Sequence, residues 1–279
     1  MELELLAWGF GLVEGPRTDA DGTLWFTDVY GGTVHRRTAD GTVETVLGDR
    51  PMAGGLALHA DGGFVVSGPD ISHWRDGVLR RIHGDPAITH WNDIQPDAAG
   101  RLYIGSVRSD LTDLKGPKTP GEAYRVELDG TATELYGGIE VTNGIGFSPD
   151  GRTLYHADST SKGIWVHDLA PDGSVANRRH IGRTVFERGI PDGLCVDVDG
   201  NLWVAHVGPG RVAKLSPSGD LLDEIPVPAK AVTSCAFGGA DHDELYIVTA
   251  DNTDDPAKAG SIFRCRPGVA GVPTSLCSV

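Results

Sequence analysis

The feature of this chain that most constrains its fold is a motif that occurs six times, a turn followed by a short apolar strand. The turn is usually Asp-Gly or a close relative, and the six copies occupy residues 21–26, 61–66, 100–104, 150–155, 199–204 and 243–248. Their starts lie roughly 38 to 51 residues apart, and a second hairpin follows each copy. This period is typical of propeller blades with four strands each. The repeats therefore predict an all-β fold, a six-bladed β-propeller with four-stranded antiparallel blades.

The repeats run along nearly the whole chain, and no linker or low-complexity segment divides it. We therefore expect a single domain over residues 1–279. A propeller must close into a ring, and a strand-like segment at residues 2–8 is expected to pair with the blade built from the C-terminal end. One segment departs from the repeat, since residues 107–121 insert a polar loop into the third blade. We interpret this loop as a lid or as an ordinary surface loop.

Charge and cysteine content narrow the class of protein. The formal net charge of −15 disfavours nucleic acid and anionic membranes as partners, because phosphate binding requires a basic surface. No segment approaches the ~20 apolar residues that span a bilayer, so we expect a cytoplasmic protein that acts on a small molecule, in an oligomeric state that the sequence leaves open. The four cysteines lack Cys-x-x-Cys spacing and are expected to be free thiols. A disulfide between Cys265 and Cys277 is the alternative.

One position of the repeat carries polar residues that the fold should bring together. It lies eight residues before the turn glycine and is occupied by Glu14, Gly54, Asn92, Asn143 and Asp192, with Thr233 and Ser234 in the matching place of the sixth repeat. A propeller places equivalent positions of its blades around one axis. The two carboxylates and two amides of this set are therefore expected to ring one mouth of the central channel.

The chemistry of that ring points to a metal. Two carboxylates in a partly dehydrated channel repel each other, and no Lys or Arg occupies the same offset to neutralise them. A divalent cation would do so, and carboxylate and amide oxygens suit calcium or magnesium, with zinc and manganese as alternatives. The competing interpretation is that Asn143-Gly144 and Asp192-Gly193 are two further turns. It is disfavoured because neither pair follows a strand as the hairpin turns do.

Six short motifs occur in order along the chain: Glu14-Gly-Pro, Asn92-Asp93, Asn143-Gly-Ile, Pro191-Asp-Gly, Leu202-Trp-Val and Thr233-Ser-Cys. Together they resemble the SMP-30/gluconolactonase/LRE-like family of six-bladed β-propeller lactonases, over almost the whole chain. The resemblance implies a propeller fold and the hydrolysis of sugar lactones, and related propellers cleave organophosphates.

The resemblance also implies roles for the ring of polar residues. Glu14, Asn143 and Asp192 would bind one divalent metal ion, calcium by preference. Asp192 would in addition be the catalytic acid or base, taking a proton from water and returning it to the lactone ring oxygen while the metal polarises the carbonyl. A metal-bound hydroxide is the competing nucleophile. Asn92 would lie beside the metal and contact the substrate.

The sequence departs from the family pattern where the substrate is recognised. Sugar-lactone members commonly carry an arginine two residues before the Asn-Asp pair, and this chain has His90 there, followed by Trp91. Loss of a guanidinium removes a rigid set of donors, which favours a less polar or aromatic lactone. Asp110, in the inserted loop, matches an acidic substrate contact of some sugar-lactone members and keeps a sugar lactone open. We assign His90, Trp91, Asn92 and Asp110 to substrate binding.

His206 ends the predicted inner strand at residues 202–205, where it would line the substrate site or make a local structural hydrogen bond. The favoured function is that of a metal-dependent hydrolase that opens a lactone. One alternative is another reaction on the same metal, either phosphotriester hydrolysis or a lyase or isomerase step on a cyclic carbonyl compound. A propeller that only binds partners is the other alternative, because fold alone does not fix function.

Overall fold

The protein is a six-bladed β-propeller, as the repeats predict, in a computed structural model that describes residues 2–109 and 119–279. Each blade is a four-stranded antiparallel sheet whose strands follow one another in space as they do in sequence. The exception is β1 (Glu4–Ala7), which precedes the first blade and completes the last. The first strand of each blade contacts the first strands of its neighbours, so these six inner strands surround the axis.

Blade 1 contains β2 (Val13–Thr18), β3 (Leu24–Asp28), β4 (Thr33–Arg37) and β5 (Val43–Leu47), and blade 2 contains β6 (Leu56–Leu58), β7 (Phe64–Val66), β8 (Ile71–Arg75) and β9 (Val78–His83). Blade 3 contains β10 (His90–Pro96), β11 (Leu102–Val107), β12 (Gly121–Val126) and β13 (Ala132–Ile139), and blade 4 contains β14 (Thr142–Phe147), β15 (Thr153–Asp158), β16 (Gly163–Leu169) and β17 (Val175–Ile181). Blade 5 contains β18 (Ile190–Val196), β19 (Leu202–Val207), β20 (Arg211–Leu215) and β21 (Leu221–Pro226), and blade 6 contains β22 (Val232–Gly238), β23 (Glu244–Thr249), β24 (Ile262–Cys265) and β1.

The repeated turn joins the first and second strands of a blade, and an aspartate just before it organises it. In blade 5, Asp197 Oδ1 accepts hydrogen bonds from the backbone N–H groups of Asp199 at 3.1 Å and Asn201 at 2.8 Å. The other oxygen, Oδ2, accepts from Trp203 Nε1 at 3.0 Å. Asp19 makes the equivalent three bonds in blade 1. Because such side-chain bonds stabilise a turn, the repeated Asp-x-Asp-Gly pattern fixes where the inner strand ends.

The ring closes through the N-terminal strand, which confirms the predicted pairing. Strand β1 pairs antiparallel with β24, and Leu5 lies opposite Phe263 in this pairing. The Glu4 carboxylate accepts from Arg264 Nη2 at 2.6 Å on the outside of the blade. The N-terminal strand thus completes a sheet built from the C-terminal part of the chain, and it covers the outer edge of β24.

Apolar side chains from the facing sheets of adjacent blades form the core. Between blades 5 and 6, Trp203 packs edge-on against Phe237 with ring centroids 5.7 Å apart. Strands β11 and β23, each second in its blade, are buried along their whole length. A strand in this position has a neighbouring sheet on each of its faces. That is why the second strands read as continuous apolar runs.

All four cysteines are free, as expected, and Cys265 and Cys277 form no disulfide. Cys195 is half-buried and the other three are buried. The Sγ atoms of Cys195 and Cys235 lie 3.8 Å apart on neighbouring inner strands. In the described part of the chain the one helical segment is a 3-10 turn at Pro256–Lys258. The described residues form no helix that is long and apolar enough to cross a membrane.

Leu5 on β1 packs against the apolar cluster shared by blades 5 and 6. We expect Leu5→Asp to lower the free energy of unfolding by about 1–3 kcal/mol, because a carboxylate would replace apolar surface where the ring closes. Leu221→Asp is the matched control, since Leu221 lies on the outermost strand of blade 5 and is 45% exposed. It should change stability by less than about 0.5 kcal/mol. Urea unfolding measures both, and equal losses would contradict the importance of this closure.

Candidate functional site

The residues predicted to ring the axis lie within the inner strands, near the ends at which these strands begin. Glu14 is the second residue of β2, Asn143 the second of β14 and Asp192 the third of β18. The pairing register with the second strand shifts at each of these places, and also in β10 and β22. Such a β-bulge bends a strand and redirects its side chains. Bulges therefore mark the same end of the channel, here called the upper mouth, in five of the six blades.

The residue after Glu14, Asn143 and Asp192 is glycine in each case, because the inner strands approach each other closely there. A Cβ atom on Gly144 would lie 2.3 Å from the backbone nitrogen of Leu194 in the next blade. Gly193 packs against blade 6 in the same way, with Ser234 as its neighbour. Close packing leaves no room for a side chain. The Asn-Gly and Asp-Gly pairs are therefore strand segments rather than two further turns.

A chain of hydrogen bonds fixes the orientation of the Asn143 amide. Asn143 Nδ2 donates to Ser159 Oγ at 2.7 Å, and Ser159 Oγ in turn donates to the Pro191 carbonyl oxygen at 2.7 Å. Asn92 Nδ2 donates to Asn143 Oδ1 at 2.9 Å and to the Thr142 carbonyl oxygen at 2.7 Å. Both protons of Asn92 Nδ2 are thereby used. The Oδ1 atoms of the two asparagines are left as the acceptors that a ligand at the upper mouth would meet.

The carboxylates at the upper mouth are buried and repel one another. Burial raises the pKa of Glu14 well above its usual range, and the charges of Asp192 and Asp93 raise it further. Burial also raises the pKa of Asp192, to which Asp93 again contributes. The pKa of Asp93 itself is raised by burial to about 6. The structure thus brings a third carboxylate, Asp93, to the pair that the repeat predicts.

Arg17 is the cation that faces this cluster, and the sequence analysis missed it. It lies three residues after Glu14 on β2, and its Nη2 reaches blade 3, where it donates to the Ile94 carbonyl oxygen at 3.2 Å and to Gln95 Oε1 at 3.1 Å. Its charge opposes the raised pKa of Asp93. The signal in the sequence is a basic residue on an inner strand, one position after the Glu14-Gly-Pro motif.

The donor set at the upper mouth fits a hard divalent cation. It offers two carboxylates, Glu14 and Asp192, and the oriented amide oxygen of Asn143, and oxygen donors of this kind suit calcium and magnesium. Within residues 2–109 and 119–279, no group of three or more His, Cys, Asp and Glu side chains is placed to hold a metal. The candidate donors are thus two carboxylates and one amide oxygen, without a histidine or cysteine among them.

Two residues assigned to substrate binding lie at the start of β10, with different surroundings. His90 is buried, and burial lowers its pKa to about 4, so its imidazole is neutral near pH 7. Trp91 is fully buried in the core between blades 2 and 3, where it packs edge-on against His83 and Tyr124. The indole of Trp91 thus belongs to the core, and the role assigned to it stays a prediction.

The other two residues assigned to the substrate site are His206, which lies opposite Pro191 in the pairing of β18 with β19, and Asp110. His206 is fully buried, its Nδ1 accepts from Arg211 Nε at 3.1 Å, and its ring packs edge-on against Phe186. Burial, followed by the charge of Arg211, lowers the pKa of His206 to about 4. These contacts match the structural hydrogen bond that was the alternative role for this residue. Asp110, with most of the predicted lid, lies outside the described residues.

A buried polar network supports the asparagines from blade 4. His156 has no exposed surface, its Nε2 lies 2.5 Å from Thr142 Oγ1, and its Nδ1 lies 2.9 Å from the Tyr136 hydroxyl. The Thr142 carbonyl oxygen in turn accepts from Asn92. Burial lowers the pKa of His156 to about 3. A neutral imidazole therefore holds the backbone segment that positions Asn92 and Asn143.

Comparison with known proteins agrees with these features. The chain matches the family model described as the SMP-30/Gluconolactonase/LRE-like region over residues 12–251. The chain belongs to the SMP-30/gluconolactonase/LRE-like family. The family resemblance carried by the six motifs is thereby confirmed.

Several family members and solved structures are similar over nearly their full length. The chain is 32% identical to regucalcin of Sus scrofa over 271 residues, which cover 91% of this chain and 90% of that protein. A luciferin-regenerating enzyme superimposes with a TM-score of 0.90 at 28% identity, covering 100% of this chain and 99% of that one. A gluconolactonase from Xanthomonas campestris superimposes with a TM-score of 0.80 at 27% identity, covering 95% and 89%.

A substitution at Gly144 tests whether close packing of the inner strands at the upper mouth stabilises the fold. We expect Gly144→Ala to lower the free energy of unfolding by about 1–3 kcal/mol, because its methyl group would collide with backbone atoms of blade 5. Gly48→Ala is the control, since nothing lies within 4 Å of a Cβ atom added there. Chemical denaturation of both variants measures the difference. A Gly144→Ala protein as stable as the wild type would show that the inner strands can separate at this end.

The lowered pKa of His156 predicts that the folded protein loses stability as the pH falls. The pKa of His156 is about 3 in the folded protein and about 6.5 in an unfolded chain, so the folded state binds fewer protons. The stability that His156 contributes is full above pH 6.5 and is lost as the pH falls below it. We expect the advantage of the wild type over His156→Gln to shrink by about 1–2 kcal/mol between pH 7 and pH 5.

Denaturation at the two pH values measures this change in advantage. Tyr136→Phe is the matched control, because it removes a hydrogen bond to the same imidazole and no group that titrates in this range. The free energy of unfolding of Tyr136→Phe should lie below that of the wild type by the same amount at both pH values. An unchanged advantage over His156→Gln would mean that the folded and unfolded states bind protons equally at this position, so that the pKa of His156 is not lowered in the fold.

Proposed function

We propose that this family member is a metal-dependent hydrolase that opens a lactone at the upper mouth of the channel. The observation that carries the proposal is the meeting of buried Glu14 and Asp192 with the oriented amide of Asn143. A scaffold that only binds partners has no use for carboxylates that raise one another's pKa on the axis. The similarity to a gluconolactonase structure supports a lactone as the substrate class.

The metal-binding role falls to Glu14, Asn143 and Asp192. All three would offer oxygen atoms, which favours calcium, with magnesium, manganese and zinc as alternatives. When bound, the cation would supply Lewis-acid polarisation of the substrate carbonyl oxygen.

The remaining chemistry belongs to the protein. Asp192 accepts a proton from the attacking water while the water oxygen bonds to the lactone carbonyl carbon. Asp192 then returns that proton to the ring oxygen as the ring C–O bond breaks. Asn92 orients the substrate, since its Nδ2 is committed to Asn143 and Thr142 while its Oδ1 accepts no hydrogen bond from the described residues. A substrate hydroxyl group would meet that free oxygen.

The neutral His90 tunes the choice of lactone. A buried imidazole with a pKa of about 4 offers at most one N–H donor near pH 7, against the several donors of an arginine. It therefore selects less strongly for a substrate rich in hydroxyl groups. We place aliphatic and aromatic lactones ahead of aldonolactones on these grounds.

The test is a proton-release assay on aldonolactones, aliphatic lactones and aromatic lactones, each with calcium, magnesium, manganese, zinc or a chelator. We expect turnover of one class that depends on the metal. Asp192→Asn should lower kcat at saturating metal at least about 100-fold, the usual scale for loss of a general acid or base. The substitution keeps an oxygen donor, so calorimetric titration should still detect metal, bound more weakly.

Asp21→Asn is the matched control, since it removes one carboxylate at an exposed turn far along the strand from the site. It should leave turnover and metal affinity unchanged. Turnover that persists in the chelator, or in Asp192→Asn at saturating metal, would contradict the proposed mechanism. Tight metal binding without hydrolysis of any lactone would assign the site to another reaction, with phosphotriesters and cyclic carbonyl compounds as the next substrates.

A further inference from the structure

A large cavity opens at the other end of the inner strands, here called the lower mouth. Its volume is about 1040 Å3, which is in the upper range for pockets that bind small molecules. Apolar side chains from the far ends of β14, β18 and β22 line it, among them Phe147, Leu194 and Phe237. Arg17 and Gln95 line it as well. The function proposed for the upper mouth uses none of these side chains.

Arg17 has hydrogen-bonding capacity that the protein leaves unused. Its Nη1 donates to the Pro16 carbonyl oxygen at 2.8 Å, and its Nη2 uses both protons on Ile94 and Gln95. Its Nε is buried and has no acceptor among the described residues. One Nη1 proton is also left over, since a guanidinium carries five N–H donors. Nε is covered by the protein, so the second Nη1 proton is the charged donor that remains for a ligand.

The charge of Arg17 also lacks a direct partner. In the part of the chain that the structure describes, no carboxylate oxygen lies within 4.0 Å of its guanidinium, and Asp93 acts on it only from farther away. A buried charge is costly unless it is paired and hydrogen-bonded. Two acidic residues that line the cavity are already engaged, Asp97 with Arg101 and Asp168 with Arg179, each at 2.7 Å. Asp150, which also lines it, is exposed at a turn.

We propose that the lower mouth is a second binding site, for a small organic monocarboxylate. The carboxylate of the ligand would accept from the free Nη1 proton of Arg17, and the apolar body of the ligand would lie against Phe147, Leu194 and Phe237. A ligand with both features suits a cavity that is lined by apolar side chains together with the guanidinium of Arg17. The site is independent of lactone hydrolysis, because it shares no ligand-binding atom with Glu14, Asn143 or Asp192.

Cys195 provides a direct probe of the cavity. It lines the lower mouth and is the one cysteine of the four that is not fully buried. The experiment measures alkylation of Cys195 by N-ethylmaleimide, located by mass spectrometry, with increasing octanoate or 1-octanol. Octanoate should slow the reaction, and it should bind at least tenfold more tightly than the alcohol of the same chain length. Calorimetry with the same two compounds gives the affinities independently.

Variants locate the carboxylate. Arg17→Met should abolish the preference for octanoate over 1-octanol, and Arg17→Lys should keep part of it if the Met variant does not fold. Arg152→Met is the matched control, because Arg152 also lines the cavity but is exposed at its rim, and it should bind octanoate like the wild type. Failure of octanoate to protect Cys195 in the wild type would overturn the proposal. So would an equal loss of octanoate binding in Arg17→Met and Arg152→Met.

A calcium titration of the same proteins separates this site from the upper one. Octanoate binding to a wild-type protein that opens no lactone would support the lower site and contradict only the hydrolase. Lactone hydrolysis without octanoate binding would support the hydrolase and contradict the lower site.

Discussion

Around the axis, the inner strands of neighbouring blades pack so closely that a Cβ atom on Gly144 would lie 2.3 Å from the Leu194 nitrogen. Where the strands pack this closely, the bulges in five inner strands redirect polar side chains towards the upper mouth. The close packing also excludes most of the water that would separate the carboxylates. The raised pKa values of Glu14 and Asp192 follow from this arrangement, because burial is their first cause.

Hydrogen bonds around the site fix the orientation of its polar side chains. Asn143 is held by Ser159 and Asn92, and the Thr142 backbone that Asn92 contacts is held by the buried His156. None of these groups has freedom to turn away when a ligand binds or leaves. A site assembled in this way is organised before the ligand arrives, and preorganisation of donors is what makes electrostatic stabilisation effective in catalysis.

The sequence predicted the fold well because a propeller is built from one repeated unit. A constant offset from the turn glycine located Glu14, Asn92, Asn143 and Asp192 without any knowledge of their contacts. What escaped prediction depends on how a strand bends. Arg17 and Asp93 reach the axis through the bulges in β2 and β10, and no turn marks a bulge in the sequence.

Trp91 shows a second limit. Side chains alternate between the two faces of a strand, so a residue between His90 and Asn92 is directed elsewhere, and the structure has it in the core between blades 2 and 3. The substrate-binding role assigned to Trp91 stays a prediction. His206 is similar, because its place at a strand end did not reveal that Phe186 covers it. The functional roles of His90, Asn92 and Asp192 remain predictions.

Arg17 connects the two mouths of the channel. Above it, the carboxylates of Glu14, Asp93 and Asp192 exceed its single positive charge by two when all are ionised, which is the charge that a divalent cation carries. Arg17 also lines the lower cavity, where its Nη1 keeps one proton that no described residue accepts. One guanidinium therefore lies between the carboxylates of the upper mouth and the apolar side chains of the lower one, because the bulge in β2 places it three residues after Glu14 on the same inner strand.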